Sequence, residues 1–109
     1  MRMPNARAAT IDRRKLESYL LSPAHPVGGP KARFFFSVGF RDAEALERAL
    51  LELARTGDVA ETTTSAYGVK YTVDGMVSTP SGRQVKLRTI WIVEAAGASP
   101  RFVTAYPLE

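Results

Sequence analysis

The spacing of apolar residues changes once along this chain, and that change limits the fold more than any other feature. From residue 11 to residue 55, apolar side chains recur at the three- and four-residue spacing of helices, whereas from residue 59 to residue 106 they alternate with polar ones. Helices that precede strands in this way are typical of an α+β fold. We therefore expect two to three N-terminal helices packed on one face of a four-stranded antiparallel β-sheet, with no parallel crossovers.

Three helices are predicted in the first half of the chain. The first covers residues 11–21 and is followed by a loop rich in proline and glycine, SPAHPVGGPK. A short second helix begins near Lys31, although its FFFSV run also suits a strand. Asp42 is placed to cap the third helix, which covers residues 43–55.

Four strands are predicted in the second half, over residues 59–65, 69–74, 85–93 and 101–106. A TPSG turn joins the second and third strands, and Trp91 is expected in the core. On the last strand, strict alternation places Phe102, Thr104 and Tyr106 on one side. Nothing in the sequence protects the outer edge of that strand, so both a monomer and a homodimer are open.

Composition excludes several classes of site. The 109 residues are expected to form one domain, residues 1–109, with residues 1–9 as a flexible basic tail. The chain has no cysteine and a single histidine, His25, so disulfides, thiolate nucleophiles and zinc sites with paired cysteines or histidines are excluded. No P-loop, GxGxxG or GxSxG motif is present, and we expect neither a cofactor nor a metal. Without a signal peptide or an apolar membrane span, the expected location is the cytoplasm.

Positive charge is concentrated in the first 40 residues. They hold seven Lys or Arg and two acidic residues, a net charge of +5, whereas the remaining residues sum to −1. Such a basic region attracts phosphates or an acidic protein, so we expect it to surround the site.

The loop and the second helix carry the residues best suited to chemistry. His25 can titrate near neutral pH and act as a general base or acid. Lys31 lies at the start of a helix, where backbone N–H groups also suit an anion, and is a candidate phosphate contact. On the strands, Lys86 and Arg88 share one side, and exposed tyrosines there would stack on nucleic-acid bases. Each of these residue types is also common on ordinary surfaces and in cores.

A family resemblance is carried by three segments, KLESYLLSPAHPVGGPKARFFFSVGF, YGVKYTVDGMVSTPSGRQVKLRTIWIV and RFVTAYP. They resemble a group of small, stand-alone bacterial domains of unknown function with LxxYLL, HPxGxxKAxFF, YGxKY, GPSGR-like, VxTxWIV and VTAYP motifs. The resemblance runs from about residue 3 to residue 107, and TPSGR at residues 79–83 is a minor departure. More distantly, the layout is similar to the barnase, EndoU, colicin and RelE group of toxin ribonucleases.

The more distant resemblance implies roles for individual residues. His25 would be the general base or acid, Lys31 would stabilise the transition state, Arg88 would be a second phosphate contact, and the Thr104 hydroxyl would hold the scissile phosphate. Four further residues are candidates for substrate binding: Tyr67, Lys70, Lys86 and Tyr106.

The function implied is a toxin-like, metal-independent endoribonuclease that cleaves RNA by attack of the 2′-hydroxyl on the phosphate, with an acidic antitoxin or immunity protein as partner. With one histidine, a second group must carry the other proton, and Tyr106, Lys31 or a carboxylate would serve. The alternative is a non-catalytic protein- or RNA-binding module of a toxin–antitoxin or phage-defence system.

Overall fold

Short helical segments fill the first half of the chain. The computed structural model describes residues 1–22, 24 and 29–108. The Asp12 carboxylate caps the first helical turn by accepting a hydrogen bond from the Arg14 N–H. The next turn is π-helical, because the Leu21 N–H donates to the Leu16 carbonyl, five residues earlier. The helical elements are α1 (Arg13–Lys15), a π-helical segment π1 (Leu16–Leu20), α2 (Gly29–Ser37) and α3 (Ala43–Thr56), after a 3-10 turn (Ala6–Ala8).

Helices α2 and α3 confirm the second and third predicted helices. The FFFSV run is helical through its serine, so the strand alternative is wrong. Asp42 caps α3 as predicted, since its carboxylate accepts a hydrogen bond from the Ala45 N–H. At the other end, Gly57 lies so close to the sheet that a Cβ there would be 2.8 Å from the Val73 side chain. The end of α3 is therefore held against the sheet.

The second half of the chain forms the predicted four-stranded antiparallel sheet. Its strands lie in sequence order, so each pairs with its neighbour through a short turn. The strands are β1 (Asp58–Ser65), β2 (Gly68–Ser78), β3 (Gln84–Val93) and β4 (Arg101–Pro107). The α+β class and the strand count are thereby confirmed.

The hydrophobic core lies between the helices and one face of the sheet. Trp91 is fully buried there, as predicted, and its ring packs edge-on against Phe102 at a centroid distance of 5.3 Å. Helix α3 contributes an apolar stripe that includes Leu46, Leu50 and Leu53. The opposite face of the sheet, here called the polar face, carries Asp74, Arg88, Thr104 and Tyr106 on β2, β3 and β4.

A β-bulge in β4 overturns one prediction about that strand. Phe102 pairs with Trp91 and Thr104 pairs with Ile90, so three residues of β4 span two of β3. The extra residue, Val103, shifts the alternation by one. Phe102 therefore points into the core, and Thr104 and Tyr106 lie on the other face.

The N-terminal segment packs against the domain. The sequence predicts a flexible tail over residues 1–9, but Met3 is only 3% exposed and the Val59 N–H donates to the Met1 carbonyl. Thr10 also covers the start of the outer edge of β4, because the Phe102 N–H donates to its carbonyl. That edge is consequently less open than the sequence indicates. Among the described residues, no helix is long and apolar enough to cross a membrane.

Candidate functional site

A lysine from α2 forms the centre of a polar cluster beside β4. Lys31 lies in the first turn of α2 and is half-buried. Its Nζ donates hydrogen bonds to the Tyr19 hydroxyl at 2.6 Å and to Thr104 Oγ1 at 2.9 Å. The two hydroxyls lie 3.3 Å from each other. Three distant parts of the chain, π1, α2 and β4, therefore meet at one ammonium group.

Two aromatic rings complete this group of residues. Lys31 Nζ lies 5.0 Å from the centroid of the Tyr19 ring and 5.6 Å from that of the Tyr106 ring. Aromatic faces attract a cation at these distances. We call Tyr19, Lys31, Thr104 and Tyr106 the lysine cluster. The two rings and two hydroxyls restrict where the ammonium group can move.

The surroundings of Tyr19 change its acidity. Burial acts to raise the pKa of this phenol, because it disfavours the phenolate. The hydrogen bonds with Lys31 and Thr104, together with the positive charges of Lys31 and Lys15, outweigh that effect and hold the pKa of Tyr19 below its usual value. The site therefore stabilises negative charge at the Tyr19 oxygen.

Next to the lysine cluster, Arg88 is held in a fixed orientation. Asp74, Arg88 and Tyr106 are cross-strand neighbours on β2, β3 and β4. The guanidinium donates to both carboxylate oxygens of Asp74, from Nε at 2.9 Å and from Nη2 at 2.8 Å. The hydrogen bond to Asp74, with a smaller contribution from Tyr106, raises the pKa of Arg88 further above its usual value. Arg88 is therefore a permanent, oriented cation at the edge of the cluster.

Three further predicted site residues that the structure describes, Tyr67, Lys70 and Lys86, lie outside the lysine cluster. Lys70 and Lys86 are exposed on the polar face, in the same strands as Asp74 and Arg88. Tyr67 is 81% exposed in the turn between β1 and β2, and Tyr71 lies on the core side of the sheet. Of the tyrosines on β2 and β4, Tyr106 alone lies on the polar face among the residues that the structure describes. His25 lies outside the described residues.

Lys15 and Lys31 of the basic N-terminal region lie at the site as the sequence predicts, but three arginines of that region pair with other parts of the fold. Arg13 pairs with Glu47 of α3 at 2.7 Å, and Arg14 pairs with Asp12 at 2.9 Å. Arg2 donates hydrogen bonds to carbonyl groups at the end of α3. The net charge of the first 40 residues therefore overstates the positive charge near the lysine cluster, because several arginines form ion pairs or hydrogen bonds that join elements of the fold.

Two residues of the site were not identified from the sequence. Tyr19 lies at the apolar spacing of the first predicted helix, with Leu16 and Leu20, and has no predicted role in the site. A tyrosine in such a stripe could be identified from the sequence as a candidate, because a buried phenol needs a hydrogen-bond partner and so indicates a polar group nearby. Asp74 could be found from the pairing of β2 with β3, because an acidic residue directly across from an arginine forms a cross-strand ion pair.

Two other features bear on what the site can bind. Within residues 1–22, 24 and 29–108, no group of three or more His, Cys, Asp or Glu side chains could hold a metal ion. A cavity of about 470 Å³ lies where β2 begins and β3 ends, lined largely by apolar groups that include Val69, Tyr71 and Val93. None of its lining residues belongs to the lysine cluster, so this cavity and the cluster are separate features.

Comparisons with known proteins place the chain among related domains. The family described as a domain of unknown function, DUF6883, matches residues 2–109. No curated protein matches the sequence. One chain in the solved structure of a contact-dependent growth inhibition toxin–immunity protein complex from Klebsiella pneumoniae 342 is similar in fold, with a TM-score of 0.75 and 16% sequence identity. The similarity covers 98% of this chain and 99% of that chain.

Proposed function

This chain belongs to the DUF6883 family, and we propose that it is a toxin-like endoribonuclease that cleaves RNA without a metal ion. The observation that carries the proposal is the 2.9 Å contact between Lys31 Nζ and Thr104 Oγ1. It joins a cation and a hydroxyl that are 73 residues apart in the sequence. The shared fold with a chain of a toxin–immunity protein complex supports the toxin-like part.

The proposed reaction begins with attack of an RNA 2′-hydroxyl on the neighbouring phosphorus. Negative charge then develops on the oxygens of the phosphate, and cations held in place stabilise it without reorganising. Lys31 supplies one such cation, and Arg88 supplies a second. The Thr104 hydroxyl lies beside Lys31 and would donate a hydrogen bond to a non-bridging phosphate oxygen.

Proton transfer requires a base for the 2′-hydroxyl. We assign that role to His25, because an imidazole accepts a proton near neutral pH. This assignment rests on the sequence, since His25 lies outside the described residues.

Substrate binding is proposed to extend along the polar face of the sheet. Lys70 and Lys86 are exposed there and would contact phosphates on either side of the cleavage point. Tyr106 offers a ring on which a base can stack. Tyr67 lies at the far turn of the β1–β2 hairpin and would contact only a longer RNA.

An acidic immunity protein is the proposed protein partner. The chain carries a net charge of +4, and Lys31, Arg88, Lys70 and Lys86 all lie beside β4 or on the polar face. A partner with acidic side chains on its contacting surface would bind there by charge complementarity and exclude RNA. Both RNA and such a partner would be met in the cytoplasm.

The test is cleavage of RNA by the purified protein, in the presence and absence of EDTA. We expect cleavage in both conditions, with 2′,3′-cyclic phosphate ends. Lys31→Met and His25→Ala should each lower the rate by about 100-fold or more, as expected for loss of a charge-stabilising or proton-transferring group. Arg33→Ala removes an exposed cation from the same helix as Lys31 and should cleave like the wild type.

Two results would reject the enzyme. In the first, the wild-type protein leaves RNA intact under both conditions. In the second, Lys31→Met cleaves as fast as Arg33→Ala. Binding of RNA without cleavage would instead support the non-catalytic module.

A further inference from the structure

We infer that Tyr19 is the general acid of this site, donating its phenolic proton to the 5′-oxygen that leaves during RNA cleavage. The inference rests on the proposed ribonuclease function and concerns the second proton transfer of that reaction. The single histidine of the chain can carry only one of the two proton transfers at a time, so a second group is needed.

The position of Tyr19 in the lysine cluster supports this role. Its hydroxyl lies 2.6 Å from Lys31 Nζ and 3.3 Å from Thr104 Oγ1, the two groups proposed to hold the phosphate. A phosphate oxygen held by Lys31 and Thr104 would therefore lie within a few ångströms of the phenol. General acids act over hydrogen-bond distances, so this proximity is the first requirement.

The local backbone fixes that position. Tyr19 lies in π1, whose wider turn buries Leu16 and Leu20 on either side of it. Single π-helical turns are often found at functional sites. The Tyr19 ring packs against the core, while its hydroxyl reaches the polar cluster.

The neighbouring charges favour an acid rather than a base. A phenol is protonated at neutral pH, so Tyr19 carries a proton to donate before each reaction. After donation, the phenolate is stabilised by the ammonium group of Lys31 at 2.6 Å and by the charge of Lys15. Asp74, a carboxylate on the neighbouring part of the sheet, is engaged by Arg88 through both oxygens.

Tyr106, the other phenol of the cluster, is less well placed for this role. Lys31 Nζ lies 5.6 Å from its ring centroid, facing the ring, whereas Lys31 donates a hydrogen bond to the hydroxyl of Tyr19. The side chain of Tyr106 also interacts with Arg88. Tyr106 is therefore better suited to stacking on a base.

The proton and electron balance of the step is complete. The 2′-oxygen gives its proton to the base and forms a bond to phosphorus, and the bond between phosphorus and the 5′-oxygen breaks. The electron pair of that bond takes the Tyr19 proton, which yields a 5′-hydroxyl, a 2′,3′-cyclic phosphate and a phenolate. The phenolate then regains a proton from the protonated base through solvent.

The decisive experiment compares two substrates with the Tyr19→Phe variant. One substrate is a short RNA, and the other has sulfur in place of the bridging 5′-oxygen at the cleaved phosphate. A thiolate is a far weaker base than an alkoxide and leaves without a proton. We expect Tyr19→Phe to cleave the ordinary RNA about 100-fold to 10,000-fold more slowly than wild type, and the sulfur substrate within about tenfold of it.

Matched variants separate this role from structural effects. Tyr71→Phe removes a hydroxyl from a half-buried tyrosine on the opposite face of the sheet and should cleave both substrates like the wild type. Lys31→Met should slow both substrates, because its charge acts on the phosphate and not on the leaving group alone. Equal slowing of both substrates by Tyr19→Phe would overturn the general acid, as would unchanged cleavage of the ordinary RNA.

Failure of the inference and failure of the proposed function give different results. A wild-type protein that cleaves neither substrate rejects the ribonuclease. A wild-type protein that cleaves both, with Tyr19→Phe slowed equally on both, rejects only the role of Tyr19.

A measurement on the protein without RNA tests the pairing that the inference needs. Tyrosines labelled with ¹³C at Cζ report each phenol as it titrates. Tyr19 should lose its proton at lower pH than an ordinary phenol does, and Lys31→Met should move the Tyr19 titration to higher pH. An unchanged Tyr19 titration in Lys31→Met would contradict the inference.

Discussion

Replacing Thr89 with valine should destabilise the fold through one hydroxyl group. Thr89 lies in β3 and is fully buried. Its Oγ1 accepts a hydrogen bond from Trp91 Nε1 at 2.8 Å and donates one to the Val73 carbonyl at 2.9 Å. Valine has nearly the same shape, so Thr89→Val removes both hydrogen bonds and creates little empty space.

The size of the effect follows from the groups left behind. The indole N–H becomes a buried donor with no acceptor, at a cost of about 1–3 kcal/mol, and the bond to the Val73 carbonyl is worth about 1 kcal/mol. Burying a methyl group in place of the hydroxyl returns about 0.8 kcal/mol. Thr89→Val should therefore lower the free energy of unfolding by about 1–3 kcal/mol.

The assay is urea denaturation followed by circular dichroism, for four proteins in a double-mutant cycle. In a Trp91→Phe background the unsatisfied donor is absent, so Thr89→Val should cost less by about 1–3 kcal/mol than it does in the wild type. Thr63→Val on the exposed part of β1 is the matched control and should stay within about 0.5 kcal/mol of wild type. An effect of Thr89→Val below about 0.5 kcal/mol, or an equal effect in both backgrounds, would refute the reasoning.

Three further outcomes are expected. Asp42→Ala should lower the free energy of unfolding by about 1 kcal/mol, measured by urea denaturation, because the α3 cap is lost; unchanged stability would contradict that role. Folding lowers the pKa of Tyr19, so the native state loses the phenolic proton at lower pH than the unfolded chain does. Tyr19 therefore adds to the free energy of unfolding above its unfolded pKa near 10.0, and this contribution is lost as pH falls through the folded pKa. Denaturation curves collected across that pH range should show the contribution in the wild type and not in Tyr19→Phe. Lys70→Ala and Lys86→Ala should each reduce by about one the number of counterions released on RNA binding, read from the salt dependence of affinity; an unchanged salt dependence would place these lysines outside the contact.

Local patterns were sufficient to predict most of the fold. The change of apolar spacing predicted the α+β class, and Asp42 predicted the start of α3 because its cap involves only residues close in sequence. The bulge at Val103 could not be predicted from the sequence, because one extra residue does not visibly change the alternation of apolar and polar residues in a strand of seven residues. That single residue decides which face of the sheet Thr104 occupies.

The site was harder to predict than the fold, for a physical reason. Lys31 is a candidate because of its place at a helix start, and Thr104 is one because of a resemblance. Their contact depends on how α2 packs beside β4, which no local pattern determines. Tyr19 shares the apolar spacing of the first helix because its ring packs against the core, and only its hydroxyl belongs to the site. Arg13 contributed to the predicted basic region but binds Glu47 instead.

The separation of 73 residues between Lys31 and Thr104 also has a consequence for synthesis. The hairpins that join successive strands are local and can form early, whereas the contact of Lys31 with Thr104 closes a long loop. A chain emerging from the ribosome cannot complete the lysine cluster until β4 has been released. The assembled site is therefore complete only once nearly the whole domain has been translated.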